Sequence, residues 1–322
     1  MKKLKFIDLF AGIGGTRLAF EDENTECLFS SEWDKFAVQT YEANFGNTPE
    51  GDITEIDAQD IPSHDILLGG FPCQPFSSIG KREGFKDVTQ GTLFFDILRV
   101  LEEHKPSMFL LENVPGILTI DGGKSMQTIM GALDELGYEV QYRLLNAANF
   151  GLPQRRRRVY FVGFLKELNV DFEYPKPTVT KDNYTPIGSI LEGDVPGYTI
   201  SKHLQENYLF KHDDGKPQIV DKNSTEVGNT LVATYHKIQR LTGTFVKGGE
   251  TGLRLLTRNE CKALQGFPKN FELPVSRTQA YRQLGNAVPV TVVKAIADNM
   301  KQALRRSKKW QENNETTLSL KI

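Results

Sequence analysis

A cysteine sits between two prolines in GGFPCQPFSSIG, residues 69–80. Pro72 and Pro75 remove backbone donors and restrict their neighbours, so the loop should present the Cys73 thiol stiffly. The polar Gln-Ser-Ser flank argues against burial. A short helical turn after it would lower the thiol pKa and favour the nucleophilic thiolate. A carboxyl follows the apolar run MFLL in LLENVPG (110–116). Half-buried there, Glu112 should have a raised pKa and stay protonated. Four arginines precede the apolar run of QRRRRVYFVGF (154–164). Strand alternation would turn two of them to one side, and Arg156 and Arg158 form such a pair.

A second group points to a ligand. DLFAGIGG (8–15) reads as a strand that turns on glycines into a helix, where backbone can approach a ligand closely. SEWD (31–34) puts Glu32 at a strand end, where an acid takes ribose hydroxyls, with Trp33 beside it to stack on a ring. GDI (51–53) offers Asp52 to an adenine amino group, at the end of a possible third strand. The dinucleotide spacing GxGxxG is absent, and no pyrophosphate cradle is evident. That favours a nucleoside with a charged, non-phosphate tail, and S-adenosylmethionine fits.

These residues need a scaffold that brings strand ends together. Short apolar runs at 5–9, 25–30, 65–68, 107–111 and 158–164 alternate with helical patterns at 16–22, 34–44, 92–104 and 124–136. Such alternation predicts an α/β fold with a mostly parallel, doubly wound sheet. Its C-terminal edge binds ligands, and Cys73 and Glu112 both fall there. After about residue 170 the texture becomes rich in Pro, Gly, Asp, Lys and Asn, with short β-like runs PQIVD, NTLVATY and TGTFV. Helices are predicted at 257–266, 276–284 and 290–304, the last amphipathic and packed back on the first part, with a frayed polar tail from 305.

Composition bounds the rest. The 322 residues carry a net charge of −2, with 39% hydrophobic and 25% charged residues. The overall charge does not advertise a nucleic-acid partner, so any such contact requires a local basic patch. The three cysteines, Cys27, Cys73 and Cys261, are far apart and form no CxxC. That argues against a disulfide framework or a zinc site and fits a reducing, cytoplasmic setting. The basic-then-apolar N-terminus is interrupted by Asp8, Arg17 and glycines, so it reads as a strand rather than an export signal or membrane span.

Taken together, DLFAGIGG, GGFPCQPFS, LLENVPG, QRRRRVYFVGF and RQLGNAVPV resemble, in order, the motifs of the small bacterial (cytosine-5)-DNA methyltransferases of restriction–modification systems. The resemblance spans nearly the whole chain and is weakest over 175–228, where such enzymes carry target recognition. It implies a class I methyltransferase, Rossmann-like fold. Residues 1–172 plus 286–322 would form the S-adenosylmethionine-binding catalytic domain, and 173–285 a smaller, mostly β or irregular recognition domain. It also implies roles. The Cys73 thiolate would add to cytosine C6. Protonated Glu112 would bind the N3 edge, and Arg158, supported by Arg156, would hold the O2 side or the thiol loop. Phe10, Gly12, Gly14, Glu32, Trp33, Asp52, Ile53, Leu93 and Asn286 would line the cofactor site.

By the same resemblance the partner is double-stranded DNA, read by a monomer and protected from a cognate endonuclease. The base must flip out to be reached, at roughly a few kcal/mol. Residues 72–91 would close on the DNA, with Gln74 and Ser77 near the flipped nucleotide. Lys81 and Arg82 suit phosphates. Thr230 would touch the phosphate beside the flipped base, and Lys237, Gln239 and Arg240 are candidates for groove contacts over four to six base pairs. An RNA cytosine methyltransferase would share the chemistry, although Ser77 stands where that branch favours threonine. An inactive DNA-binding relative would not need the complete Cys73, Glu112 and arginine set.

Overall fold

The computed structural model describes residues 3–72 and 93–319. Its main sheet has six strands in the order β2-β1-β3-β4-β6-β5. These are β1 (Leu4–Leu9), β2 (Thr25–Ser31), β3 (Ile66–Gly70), β4 (Met108–Asn113), β5 (Tyr138–Asn146) and β6 (Arg157–Leu165). The inner strands β1, β3 and β4 are buried along nearly their whole length. That is why their sequences are mostly apolar rather than alternating, with Lys5, Asp8, Glu112 and Asn113 the charged and amide exceptions. β1 pairs in parallel with β2 and β3, and β3 with β4. The strand order reverses between β1 and β3, and the crevice at such a switch point opens at the carboxyl ends of the strands.

Helices α1 (Gly15–Phe20), α2 (Lys35–Phe45), α3 (Leu93–His104) and α4 (Lys124–Glu135) follow the strands they were predicted to follow. Two further helices, α5 (Arg258–Gln265) and α6 (Arg277–Asn286), lead to α7 (Val290–Arg306). One core, with Phe94, Ile97, Leu101, Ile129 and Leu133 of α3 and α4, covers one face of the sheet. The other joins α1 and α7 to Tyr160, Val162 and Phe164 of β6 and runs on into Phe245, Val246 and Leu253. Those last residues belong to a three-stranded sheet of β7 (Gln218–Val220), β8 (Thr244–Lys247) and β9 (Leu253–Arg254), so the core is continuous with that smaller sheet. Among the described residues no helix is long and apolar enough to cross a membrane.

Five expectations are corrected. β6 is antiparallel to both β4 and β5 rather than parallel. Only a ten-residue connection, holding one 3-10 turn (Ala147–Phe150), separates β5 from β6, too short for a crossover helix. β5 itself was not expected. It is an edge strand with Glu139, Gln141 and Arg143 exposed, and only Tyr138 and Leu145 of it are buried. The supposed third strand near Asp52 is a single bridge between Ser31 and Glu50 followed by a 3-10 turn, and NTLVATY likewise lies outside the strands and leads into a 3-10 turn. The tail forms helix α8 (Lys308–Ser319) instead of fraying.

Candidate active site

At the carboxyl ends of β1 to β4 lies a cavity of about 480 Å³. Its wall on the β1 side is the turn Phe10–Ile13. Phe10 and Gly12 adopt left-handed backbone with φ of 57° and 56°. The turn is clamped to the neighbouring strand, because Ala11 N donates to Ser31 O at 2.9 Å and Gly12 N to Glu32 Oε2 at 2.8 Å. Gly14, with φ 83°, faces away from the cavity, and a Cβ there would strike the Phe45 ring. Glycine is therefore required by packing against α2 as well as by backbone conformation.

Glu32 receives a second backbone N–H, from Asp34 to Oε1 at 2.8 Å. These bonds use only part of the carboxylate's acceptor capacity, and burial raises its pKa against the pull of the backbone N–H groups. Trp33, beside it on the cavity rim, is 73% exposed. An indole left that open next to a concave wall is suited to a planar partner.

Under the turn, Asp8 is 1% exposed and accepts a hydrogen bond from the Thr16 hydroxyl. Its other oxygen has no partner among the described residues. Burial pushes its pKa up to about 7, against the pull of Thr16 and Arg17. In an unfolded chain the group titrates near 3.9. The stability it contributes in neutral form is thus complete below about pH 4 and is lost as pH rises through about 7. Asp8→Asn should flatten this dependence. In thermal melts from pH 5 to 8 the variant's advantage over the parent should widen and then level off, with a ceiling of roughly 4 kcal/mol. A gap that stays constant with pH would refute the assignment.

The opposite wall carries a carboxyl–guanidinium pair. Glu112 ends β4 and Arg158 begins β6, and both line the cavity. Arg158 Nε lies 2.9 Å from Glu112 Oε1, with both side chains mostly buried. The reversal of β6 makes this pair possible, since a parallel strand would start at the opposite edge of the sheet. Burial raises the Glu112 pKa, opposed by Arg158 and Arg156. Next to it, Asn113 donates to Phe71 O at 3.0 Å and accepts from Val114 N at 2.8 Å. Asn113, 2% exposed, thereby ties the end of β4 to the segment entering Pro72 and Cys73. Sequence reasoning missed it, though its place in ENV, directly after Glu112, was visible.

The cavity unites Phe10, Gly12, Glu32, Trp33, Glu112, Arg158 and Asn286. Gly14, Asp52, Ile53 and Leu93 are not in its wall. Asp52 caps the 3-10 turn by accepting from Thr54 N at 3.0 Å, and Ile53 is buried in the core. Arg156, expected in support of Arg158, lies outside the cavity wall. It is 1% exposed and its guanidinium donates to the carbonyls of Leu231, Gly285 and Ala287. It precedes the first residue of β6, so strand alternation does not govern it. Burial and the charge of Arg158 bring its pKa down to about 9.

In the stretch expected to read the target, Thr230 donates its hydroxyl to Arg155 O, Lys237 is exposed and Gln239 is half-buried. Arg240 is corrected too: it is buried, paired with Asp214, and donates to Leu209 O and His212 O at 3.0 Å each. It braces the loop instead of facing a groove. Cys73, Gln74, Ser77, Lys81 and Arg82 lie outside the described residues.

The sequence profile of C-5 cytosine-specific DNA methylases matches residues 4–302. Type II methyltransferase M.BsuFI of Bacillus subtilis is 61% identical over 303 residues, 94% of this chain and 73% of its own. Type II methyltransferase M.MspI of Moraxella sp is 57% identical over 98% of this chain and 75% of its own. The solved structure of S. pombe Dnmt2 methyltransferase superposes with a TM-score of 0.76 at 23% identity, covering 93% of this chain and 99% of that one. At that identity the superposition shows a shared fold.

Proposed function

The chain belongs to the C-5 cytosine-specific DNA methylase family and is a DNA (cytosine-5)-methyltransferase of the restriction–modification type, and on that premise we propose how its residues divide the work. The observation that carries the reading is the Glu112–Arg158 pair, placed in the same cavity as Glu32 and Trp33. One end of the cavity suits a nucleoside and the other a base that gains and loses a proton.

The methyl donor we assign is S-adenosylmethionine, which supplies an electrophilic methyl on sulfonium sulfur. Glu32 would accept from ribose hydroxyls through its remaining lone pairs, and Trp33 would stack on the adenine. Asp52 has a second carboxylate oxygen to offer the adenine amino group. Trp33→Ala is expected to weaken S-adenosylhomocysteine binding roughly tenfold, the scale of one aromatic–base stack. Isothermal titration would show it, and an unchanged Kd would remove Trp33 from the site.

Cytosine C5 is a weak nucleophile. In the proposed sequence the Cys73 thiolate forms a bond to C6 while Glu112 transfers its proton to N3. Arg158 holds the carboxyl in place and faces the charge that develops on the ring. C5 then takes the methyl group, a base removes the C5 proton, the C6–sulfur bond breaks, and the N3 proton returns to Glu112. Gln74, Ser77, Lys81 and Arg82 would contact the flipped nucleotide and its phosphates. Thr230, Lys237 and Gln239 remain proposed DNA contacts, and the enzyme would act in the cytoplasm as a monomer beside a cognate endonuclease.

Bisulfite sequencing of unmethylated DNA incubated with the protein and S-adenosylmethionine tests the whole reading. Protection confined to one short motif is expected. Absence of any protected cytosine, with tRNA protected under the same conditions, would overturn it.

A further inference from the structure

Residues 228–233 of the proposed recognition segment do not merely neighbour the cofactor-lining turn 285–287: the two share a joint. Gly285 lies in helix α6 with its Cα against the backbone of Val232 and Ala233, and a Cβ there would collide with both. Arg156 closes the joint from the sheet side. Its Nη1 donates to Leu231 O at 2.8 Å, while Nη2 donates to Gly285 O at 2.9 Å and to Ala287 O at 2.7 Å. Gln154 adds a second clasp. It accepts from Leu231 N at 3.1 Å and donates to Leu264 O at 2.6 Å. Thr230 donates to Arg155 O, and Gln154 bridges Gly228 in strand fashion. Gly285 and Ala287 also line the cavity. One side of the joint therefore faces the methyl donor, and the other carries Thr230.

We propose that Arg156 and Gly285 couple target DNA to the methyl donor, so that each ligand tightens the binding of the other. The inference rests on the cofactor and DNA roles proposed above. Its physical basis is that 231–233 and 285–287 have few independent positions. Backbone meets backbone without an intervening side chain, and one rigid guanidinium fork fixes both sets of carbonyls. A ligand that orders either side therefore spares the other its ordering entropy. The coupling must be reciprocal. Arg156 is a positioning residue here, since it touches neither ligand.

Two measurements decide it. The first uses the unaltered protein with S-adenosylhomocysteine and no DNA. Hydrogen exchange should slow over 229–235 as well as over the cavity wall. Protection confined to the wall overturns the proposal. Failure to bind S-adenosylhomocysteine at all overturns the cofactor reading and this proposal with it. The second compares the S-adenosylhomocysteine Kd with and without a duplex carrying the methylated motif. The parent ratio should be about tenfold or more. In Arg156→Lys, whose point charge cannot span three carbonyls, the ratio should collapse towards one. A folded variant that binds both ligands more weakly but keeps the parent ratio overturns the proposal, because a purely structural role predicts that result.

Discussion

A Glu112→Gln enzyme is expected to hold target DNA and donor yet lose roughly 10²–10⁴-fold in kcat, the range of general acid–base catalysis. Glutamine keeps the shape and can still donate a hydrogen bond towards N3, but it has no proton to transfer. The structure supplies the sign of the pH effect. Burial raises the Glu112 pKa, and the pull of Arg158 and Arg156 moderates the rise. The acid form is therefore retained to higher pH than in a free glutamate and is lost as pH rises through the raised value. The parent should show an alkaline fall in single-turnover rate that the glutamine variant lacks. A variant at the parent rate, or one with the alkaline fall intact, would remove Glu112 from the proton-transfer role. Arg158→Lys should fall between the two, since an ammonium keeps the charge but loses the planar fork 2.9 Å from Oε1.

Much of this geometry could be read from the chain. MFLL before Glu112 is a continuous apolar run, KFIDL before the glycine turn is broken only by Lys5 and Asp8, and such runs mark inner strands whose ends share one edge. The helix beginning at Val290 packs where its amphipathic pattern puts it. What failed was information not carried locally. VYFVGF after Arg158 carries no charge, so it reads alike in either direction, and only the short connection before it dictates the reversal that brings Arg158 to Glu112. Arg156 and Arg158 share a parity in sequence, but the strand begins between them, so one enters the cavity and the other enters the joint. Arg240 stands in a polar loop that looks available to DNA. Its partner Asp214 is 26 residues upstream, and nothing in the spacing announces the pair. Gly285 likewise resembles a plain helix-to-helix turn until Val232 and Ala233 are seen against it.

Cys73→Ala should abolish methyl transfer while leaving donor binding intact. The geometry around the position explains why the loss should be complete. β3 ends at Gly70 on the same edge as Glu112, and Asn113 fastens Phe71 to the end of β4. The chain thus leaves β3 from a fixed point beside Glu112. Glu112 and Arg158 can polarise a cytosine ring, but without a sulfur bonded to C6 the C5 carbon has no enamine character, and polarisation alone does not make it attack the methyl. The other cysteines cannot substitute. Cys261 is fully buried, and burial pushes its thiol well above the usual range. The Cys27 thiol is raised to about 12, chiefly by burial, and lies on β2 outside the cavity wall. Tritium transfer from labelled S-adenosylmethionine to duplex DNA provides the assay. Calorimetry with S-adenosylhomocysteine provides the control for folding. Transfer at the parent rate would show that the thiol is not the nucleophile. Loss of both transfer and cofactor binding would instead assign Cys73 a structural part in the cavity, and only loss of transfer alone supports attack on C6.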